Sequence, residues 1–461
     1  MQEIKIFSPL DNSLLGSVKS MSKEEVDKEV GKAKEAFYSW KEMPLSQRAD
    51  IMYKAADLLV ENTKKLADLL MMEVGKDQKS AASEVTRTAD FIRFTADTAK
   101  SIHGESIQGD TFSGFSKEKI AMVTREPVGV VLAISPFNYP INLAASKIAP
   151  ALVSGNTVVF KPATTGSLCG IELAKLFMEA GLPEGALTVV TGKGSEIGDY
   201  IVTHQDINFI NFTGSTEVGL DISGKVHMVP LLMELGGKDA AIVLKDADLE
   251  FAAKNIVAGA FSYSGQRCTA VKRILVLEDV ADELINYLKI EIEKLTVGNP
   301  LNVQADVVPL ISEKAADFVW ELIEDAKQKG AKLIIGGTRE GTLLYPTLFD
   351  EVTEDMRIAW EEPFGPVLPI LRVKTVDEAV HLANKSEYGL QSSVFTENLT
   401  DAFHVAGKLE VGTVHINNKT ERGPDHFPFL GVKKSGIGTQ GIRYSIEAMT
   451  RVKATVINLN R

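Results

Sequence analysis

The sequence has few of the residues that build disulfide frameworks or metal centres. Its 461 residues include 2 Cys and 7 His, and the His residues are scattered along the chain. Two cysteines cannot form a disulfide framework, which favours a reducing cytoplasm. Because the scattered His residues show no ligand spacing for a metal ion, we expect no metal site.

Long apolar runs and an excess of basic residues are also missing. No apolar stretch approaches the roughly 18 residues that a membrane span needs, and the opening MQEIKIFSPL lacks the features of a signal peptide. Lys and Arg total 50 against 62 Asp and Glu, a formal net charge of −12. That balance argues against nucleic-acid binding and against an anionic membrane surface. An anionic ligand would therefore need a local cationic pocket.

The apolar periodicity predicts an α/β protein of two or three domains. Residues 1–20 are predicted to form a strand pair, and Ser22 with Glu25 forms a capping box that begins a helical region extending to about Ile102. From Val128, strand, loop and helix then recur four times, which indicates a parallel sheet covered by helices. The predicted helices include Leu168–Ala180, residues 195–204 and residues 216–224. A second α/β series follows a glycine pair that suggests a boundary near Leu235–Gly237.

The stretch FSYSGQRCTAVK contains the best candidate for a nucleophile, Cys268. A thiol needs its thiolate form to react, and an adjacent cation or the start of a helix lowers the thiol pKa. Arg267 would supply the cation, and the following residues could begin a helix or a buried turn. The alternative is a packed cysteine, which is the interpretation we prefer for Cys169 in the apolar helical pattern SLCGIELAKLF.

Three further candidates lie in strands or loops. Glu234 follows an apolar run, where a carboxylate is either a general base or half of a structural salt bridge. Asn138, in the proline-flanked loop SPFNYP, offers an amide donor suited to an oxyanion hole, although turn geometry alone explains many loop asparagines. In FTGSTEVG, Gly214 and Gly219 flank a strand-to-helix turn that could approach a dinucleotide phosphate, a weak signal by itself.

These groups together fit the oxidation of an aldehyde through a cysteine adduct, with water as the acyl acceptor. Six ordered motifs resemble the aldehyde dehydrogenase superfamily over nearly the whole chain: SPFNYPINLAASKIAPALVSGNTVVFKPA, FTGSTEVG, MELGGKDAAIVL, GAFSYSGQRCTAVKR, EEPFGPVLPI and FLGVKKSGIG. Within it, the chain most resembles the NADP-dependent non-phosphorylating glyceraldehyde-3-phosphate dehydrogenases.

The resemblance implies a Rossmann-like cofactor domain, an α/β catalytic domain and a small β oligomerisation arm. The expected limits are 1–107 and 125–236 for the cofactor domain, 237–435 for the catalytic domain, and 108–124 and 446–461 for the arm. A family arm of this kind implies a homotetramer or a dimer.

The resemblance also assigns roles to single residues. Cys268 would be the nucleophile, Glu234 would activate the deacylating water, and Asn138 would complete the oxyanion hole with the Cys268 amide. The NADP site would include Lys161, Thr164, Gly214, Ser215, Gly219, Glu362 and Phe364. The substrate phosphate would contact Arg87, Tyr139, Arg267 and Arg422. NAD-preferring relatives often have Glu where this chain has Thr164, and a carboxylate would repel the 2′-phosphate of NADP.

Three alternatives remain open on the sequence alone. Another NAD(P)-dependent aldehyde dehydrogenase would act on a semialdehyde or lactaldehyde. A non-catalytic protein could reuse the scaffold, although Cys268, Glu234 and Asn138 together argue against this. A CoA-acylating relative would not need the base Glu234.

Overall fold

The computed structural model describes residues 3–459 and shows a mixed α/β chain. Its strands, numbered in chain order, are β1 (Glu3–Phe7), β2 (Leu14–Lys19), β3 (Glu105–Gln108), β4 (Lys119–Pro127), β5 (Val130–Ile134), β6 (Thr157–Lys161), β7 (Leu187–Val189), β8 (Phe209–Thr213), β9 (Leu231–Glu234), β10 (Ala240–Val243), β11 (Arg273–Leu277), β12 (Lys332–Ile335), β13 (Arg339–Glu340), β14 (Leu343–Leu344), β15 (Thr347–Asp350), β16 (Val367–Val373), β17 (Tyr388–Gly389), β18 (Gln391–Phe395), β19 (Thr413–Ile416), β20 (Val432–Lys433), β21 (Gly436–Ile437) and β22 (Thr450–Asn458).

The α-helices are α1 (Lys23–Trp40), α2 (Leu45–Glu61), α3 (Thr63–Val74), α4 (Gln78–Ser101), α5 (Asn142–Val153), α6 (Ser167–Glu179), α7 (Asp199–Val202), α8 (Thr216–Lys225), α9 (Leu249–Phe261), α10 (Glu278–Glu293), α11 (Glu313–Gln328), α12 (Val376–Asn384), α13 (Leu399–Lys408) and α14 (Ile442–Ala448). None of the helices within residues 3–459 combines the length and the apolar character that crossing a bilayer requires.

The N-terminal region follows the sequence prediction closely. β1 and β2 form the predicted antiparallel pair, while residues 1–2 lie outside the described range. The capping box at the start of α1 is present: the Ser22 side chain accepts from the Glu25 amide, and the Glu25 side chain accepts from the Ser22 amide. Four helices then fill the region to Ser101, and α2 and α4 pack their apolar faces into the core that covers one side of the first sheet.

The first large sheet has the strand order β21-β9-β8-β5-β6-β7. The five strands β9, β8, β5, β6 and β7 run parallel to one another. The two-residue strand β21 pairs antiparallel with β9 at the edge of the sheet. The strand order reverses between β5 and β8, since β6 follows on one side and β9 on the other. Loops at the carboxyl ends of such neighbouring strands diverge and leave a crevice for a ligand. The predicted parallel sheet is confirmed.

The helix predicted over residues 195–204 is wrong in detail. The chain there forms a single π-helical turn, Gly194–Gly198, followed by the short α7. Both glycines of this segment favour a loose first turn over a regular α-helix, because glycine lowers helix propensity. The predictions for α6 and α8 are each within one residue of the observed bounds.

The second large sheet has the order β12-β15-β16-β11-β10-β18-β19. All of its strands run parallel except β12 at one edge. The chain passes from the first sheet to the second through Leu235–Gly237, between β9 and β10. The carboxyl end of β9 and the loop before β11 therefore lie close together where the two sheets meet.

A separate three-stranded antiparallel sheet has the order β22-β4-β3. Its strands carry exposed apolar side chains, among them Met122, Val452 and Val456. The predicted arm limit at residue 446 falls inside α14, so that segment begins as helix and becomes a strand at Thr450. Residues 460–461 of the predicted arm lie outside the described range.

A buried carboxylate joins α3 to the start of α6. Glu73 is fully buried, and its two oxygens accept from the amides of Gly166, Leu168 and Cys169 at 3.0, 2.8 and 2.8 Å. Burial raises the pKa of Glu73, while these hydrogen bonds oppose the rise. The amides belong to the first turn of α6, which has no partner for them within the helix. Glu73 therefore holds the helix that follows the Lys161 loop.

We expect Glu73→Ala to lower the free energy of unfolding by about 3 kcal/mol, because it leaves three buried amides without an acceptor. Urea unfolding followed by circular dichroism measures the change. Glu172→Ala is the matched control, since Glu172 on α6 forms surface ion pairs with Lys65 and Lys175. The control should lose at most about 1 kcal/mol. Equal losses in the two variants would contradict this account of Glu73.

Candidate active site

A cavity of about 750 Å³ opens at the carboxyl ends of β5, β6, β8 and β9. It lies at the point where the strand order of the first sheet reverses, as expected for a ligand site in a parallel sheet. Eight residues predicted from the sequence line it: Asn138, Lys161, Thr164, Gly214, Ser215, Cys268, Glu362 and Phe364. The structure thus brings the candidate nucleophile and most of the candidate cofactor residues into one space.

The turn between β8 and α8 presents the start of a helix to this cavity. Ser215 is the N-cap of α8, and its side chain accepts from the Val218 amide at 3.4 Å. A Cβ at Gly214 would lie 2.5 Å from the ring of Phe212, and one at Gly219 would lie 2.4 Å from Leu235. Side-chain crowding therefore requires both glycines. Gly219 packs against Leu235 and is not among the residues that line the cavity, and its predicted contact with the cofactor stays a prediction.

Two residues at the end of β6 and in the loop after it also line the cavity. Lys161 is the last residue of β6 and is 6% exposed, and burial lowers the pKa of its ammonium to about 8. An anion entering the cavity would favour the charged form of Lys161. Thr164 lies in the loop that follows and presents no carboxylate to the same wall.

Glu362 connects the cavity to the junction of the two sheets. Its Oε1 accepts from the Gly237 amide at 3.1 Å and pairs with Lys272 Nζ at 3.0 Å. A Cβ at Gly236 would lie 2.2 Å from Glu362 Oε2, so this crossing of the chain has no room for a side chain. Nearby, Phe364 has φ +47° and its ring packs edge-on against Phe137 at 5.9 Å between centroids.

Cys268 follows the short 3-10 helix Ser262–Gly265, in which Tyr263 and Ser264 both have positive φ. The residues after Cys268 form a buried turn that leads to β11, which is one of the two predicted alternatives, and they do not begin a helix. Cys268 is half-buried as a residue, and burial raises the pKa of its thiol to about 12.

Arg267 does not act as the cation beside the thiol. Its side chain is buried, and its Nη2 donates to the carbonyl of Gly259. The charge that opposes the raised thiol pKa is Lys272, which donates to the Cys268 carbonyl. The carboxylates of Glu234, Glu362 and Asp239 act in the other direction. The sequence analysis missed Lys272 because it considered only the nearest neighbours of Cys268.

Asn138 follows β5 and is 3% exposed. Its Nδ2 donates to the carbonyl of Gln266 at 2.9 Å, two residues before Cys268. The amide therefore lies against the segment that carries the thiol, as an oxyanion donor must. The backbone carbonyl of Asn138 accepts from Lys76 Nζ at 2.8 Å, a contact that the sequence analysis did not foresee.

Glu234 ends β9 and is 2% exposed. Arg422 Nη1 donates to both of its oxygens at 3.0 and 3.1 Å, and Thr213 Oγ1 donates to Oε2 at 3.1 Å. Lys147 Nζ in turn donates to Thr213 Oγ1 at 2.6 Å, and burial lowers the pKa of Lys147 to about 8. Glu234 therefore forms the salt bridge that the sequence analysis gave as one alternative. Its carboxylate also lies at the end of a hydrogen-bonded chain that runs through Thr213 to Lys147.

The residues predicted to bind a phosphate are engaged with protein groups. Arg422 also donates to Gln440 Oε1 at 2.8 Å, while Arg87 forms two bonds to Asp425 and one to the Arg422 carbonyl. Both guanidinium groups therefore have carboxylate or carbonyl partners within the chain. Their role toward a phosphate remains a prediction. Within residues 3–459, no group of three or more His, Cys, Asp and Glu side chains could hold a metal ion.

Comparisons with known proteins cover almost the whole chain. A model described as "Aldehyde dehydrogenase family" matches residues 1–455. The NADP-dependent glyceraldehyde-3-phosphate dehydrogenase of Streptococcus equinus is 58% identical over 99% of this chain and 96% of its own length. The structure of the enzyme of that name from Bacillus halodurans C-125, complexed with NADP, is 57% identical, has a TM-score of 0.98, and covers 99% of this chain and 96% of its own.

A relative with another name is less similar. The 3-sulfolactaldehyde dehydrogenase of Priestia aryabhattai is 40% identical over 99% of this chain and 95% of its own length.

We expect Lys272→Met to slow the alkylation of Cys268 by iodoacetamide about tenfold at a given pH. Removal of the ammonium raises the thiol pKa further, and about one pKa unit reduces the thiolate tenfold. In both proteins the rate should rise with pH, since the folded thiol pKa lies well above its usual value. Mass spectrometry of the alkylated peptide follows Cys268 and leaves out the buried Cys169.

Lys238→Met is the matched control for this measurement. Lys238 is also buried, and burial lowers the pKa of its amine. The charged groups that act on the Cys268 thiol are Lys272, Glu234, Glu362 and Asp239. The control should alkylate at the rate of the unchanged protein. Equal rates for Lys272→Met and Lys238→Met would remove Lys272 from the account of the thiol.

Proposed function

The chain belongs to the aldehyde dehydrogenase family, and from this we propose that it oxidises D-glyceraldehyde 3-phosphate irreversibly to 3-phosphoglycerate with NADP. The observation that carries the proposal is that Cys268 and Asn138 line the same cavity, while the buried carboxylate of Glu234 is close enough to Cys268 to act on its thiol. The relatives of 58% and 57% identity, both NADP-dependent glyceraldehyde-3-phosphate dehydrogenases, support the substrate and the cofactor.

The residues of the cavity fit a dinucleotide. The N-terminus of α8 offers unpaired amides to a pyrophosphate, and Lys161 offers a cation and a hydrogen-bond donor to the adenosine ribose. Glu362 would hold the nicotinamide ribose, with Phe364 beside the ring. NADP supplies the acceptor for the electron pair and the hydrogen that leave the aldehyde carbon. Thr164, three residues after Lys161, leaves room for the 2′-phosphate without repelling it.

Cys268 performs the first step on the aldehyde. Its thiolate attacks the carbonyl carbon and forms a thiohemiacetal, whose oxygen develops negative charge. The Asn138 amide and the Cys268 backbone amide would donate hydrogen bonds to that oxygen, which stabilises the charge. Loss of the hydrogen together with its bonding electron pair leaves a thioester on Cys268.

Glu234 completes the reaction by activating water. Its carboxylate would accept a proton from a water molecule as that water attacks the thioester, which releases 3-phosphoglycerate and restores the thiol. Thr213 donates to Glu234, and Lys147 donates to Thr213. Together with the two hydrogen bonds from Arg422, this chain orients the carboxylate.

The substrate phosphate would be bound by Arg87, Tyr139, Arg267 and Arg422. Arg87, in α4, donates to the backbone carbonyl of Arg422, so the two arginines are neighbours. The Arg87 side chain is the more exposed of the two. A phosphate reaching this loop would compete with Asp425 for Arg87. This local cluster of arginines is the cationic region that an acidic chain needs for an anionic substrate.

We also propose that the three-stranded sheet β22-β4-β3 joins subunits into a homotetramer, because β22 is an edge strand of that sheet and the sheet exposes apolar side chains. Residues 1–107 and 125–236 would form the cofactor-binding domain and residues 237–435 the catalytic domain. A catalytic thiol that must stay reduced suits a cytoplasmic location.

The test of the proposal is turnover of D-glyceraldehyde 3-phosphate with NADP in the absence of inorganic phosphate and CoA. We expect NADPH and 3-phosphoglycerate in equal amounts, and Cys268→Ala should bind NADP without producing either. Glyceraldehyde and 3-sulfolactaldehyde are the comparison substrates, and both should give a lower kcat/KM. A requirement for phosphate or CoA, or a preference for 3-sulfolactaldehyde, would overturn the proposal.

We expect Thr164→Glu to lower the ratio of kcat/KM for NADP to that for NAD by at least about tenfold. The new carboxylate would repel the 2′-phosphate of NADP and accept hydrogen bonds from the ribose hydroxyls of NAD. Thr164→Val is the matched control, since it removes the hydroxyl without adding charge. An unchanged ratio in Thr164→Glu would mean that other residues choose the cofactor.

A further inference from the structure

We infer that the buried ion pair of Lys76 and Glu84 is a positioning device for the Asn138 amide. The inference rests on the proposed function, in which that amide donates to the developing oxyanion. Neither residue lines the cavity of about 750 Å³, so neither is a catalytic residue. They act through the loop that joins β5 to α5.

The pair lies where the first helical layer meets the active-site loop. Lys76 follows α3 and Glu84 lies in α4, and the side chain of each is 1% exposed. Lys76 Nζ is in direct contact with Glu84 Oε2. Each charge has therefore lost its hydration and is compensated by the other charge and by the groups around it.

The remaining polar contacts of the pair go to one loop. Lys76 Nζ donates to the Asn138 carbonyl at 2.8 Å. Glu84 Oε1 accepts from the amides of Ile141 and Asn142, both at 3.0 Å. The pair thus contacts the loop backbone at Asn138 and again at Ile141 and Asn142. Because the chain is held on both sides of Pro140, the Asn138 peptide has little freedom to rotate.

The same ammonium also reaches the segment that carries the nucleophile. Lys76 Nζ lies 3.7 Å from the ring centroid of Tyr139 and 4.8 Å from that of Tyr263. Tyr263 belongs to the short helix that leads to Cys268, and its hydroxyl donates to the Val74 carbonyl at 2.6 Å. Lys76 is therefore a common contact of the loop with the amide donor and the segment with the thiol. Its position sets the separation of the two groups.

Stability alone does not account for this pair. Replacing a buried ion pair with neutral groups of similar volume is often neutral or stabilising, because the desolvation penalty offsets the attraction. An arrangement that contributes little net stability but directs three hydrogen bonds into one catalytic loop fits a role in geometry. A displacement of about 1 Å in such a loop lowers the rate of the chemical step up to about a hundredfold.

The test is a double-mutant cycle that combines Lys76→Met/Glu84→Gln with Asn138→Ala. The paired substitution removes both charges together, which protects the fold, and glutamine keeps an oxygen for the amides of Ile141 and Asn142. We expect Asn138→Ala to lower kcat about 10²- to 10³-fold. Lys76→Met/Glu84→Gln should lower kcat, and the rate of the first NADPH burst, about 10- to 100-fold, while the Kd for NADP stays unchanged.

The cycle then shows whether the pair acts through Asn138. In the Asn138→Ala protein the paired substitution should lower kcat less than about threefold, because no amide remains to be positioned. Lys76→Arg keeps the charge but moves the donor, so it should show a smaller loss that also vanishes with Asn138→Ala. This variant retains the ion pair and decides the question if the paired substitution does not fold.

Arg372→Met/Asp350→Asn is the matched control, since Asp350 is fully buried and its pair with Arg372 lies in the second sheet. It should change Tm without changing kcat. Multiplicative losses in the cycle, or an unchanged kcat in the Lys76 variants, would overturn the inference. A normal kcat in Asn138→Ala would instead overturn the oxyanion role in the proposed function.

Discussion

A charge can be buried in a protein only if another group replaces the water that it loses, and this requirement shapes the site more than any other. Glu234 is buried against Arg422, Glu362 pairs with Lys272, and Lys76 pairs with Glu84. The first two pairs join segments that are far apart in the chain, while Lys76 and Glu84 are close in sequence and contact the distant loop at Asn138. The catalytic groups are consequently held by electrostatic contacts that form only when both sheets and the first helical layer are in place.

The requirement also explains why the nucleophile needs help from its surroundings. The fold that places Cys268 at the cavity also buries its thiol, which favours the neutral form. Two nearby carboxylates needed for other steps, Glu234 and Glu362, add to that effect. Lys272 counters them while it bonds to the backbone of Cys268 itself. The site therefore balances reactivity of the thiol against the charges that later steps need.

The sequence predicted the parts that depend on local pattern. Alternation of apolar strands and amphipathic helices was sufficient for the parallel sheet, and Cys268 and Asn138 were identified by their flanking residues. The contacts that join distant segments could not be predicted, since Arg422 and Glu234 are 188 residues apart and no periodicity links them. Adjacency in sequence was misleading for Arg267, because the backbone before Cys268 turns its side chain toward Gly259. The helix predicted over residues 195–204 was wrong in detail for a local reason, because Gly194 and Gly198 are the two ends of the π-helical turn with which the segment starts.

The double glycine between the two sheets constrains how this protein can vary. A Cβ at Gly236 would collide with Glu362, and one at Gly237 would lie 3.1 Å from the Cys268 carbonyl. These two positions touch both the group proposed to hold the cofactor and the backbone of the nucleophile. The crossing between the sheets therefore has no room for a side chain at either position. A change at this crossing would move the Glu362 carboxylate and the Cys268 backbone together, so the separation of the two groups depends on two residues that have no side chain of their own.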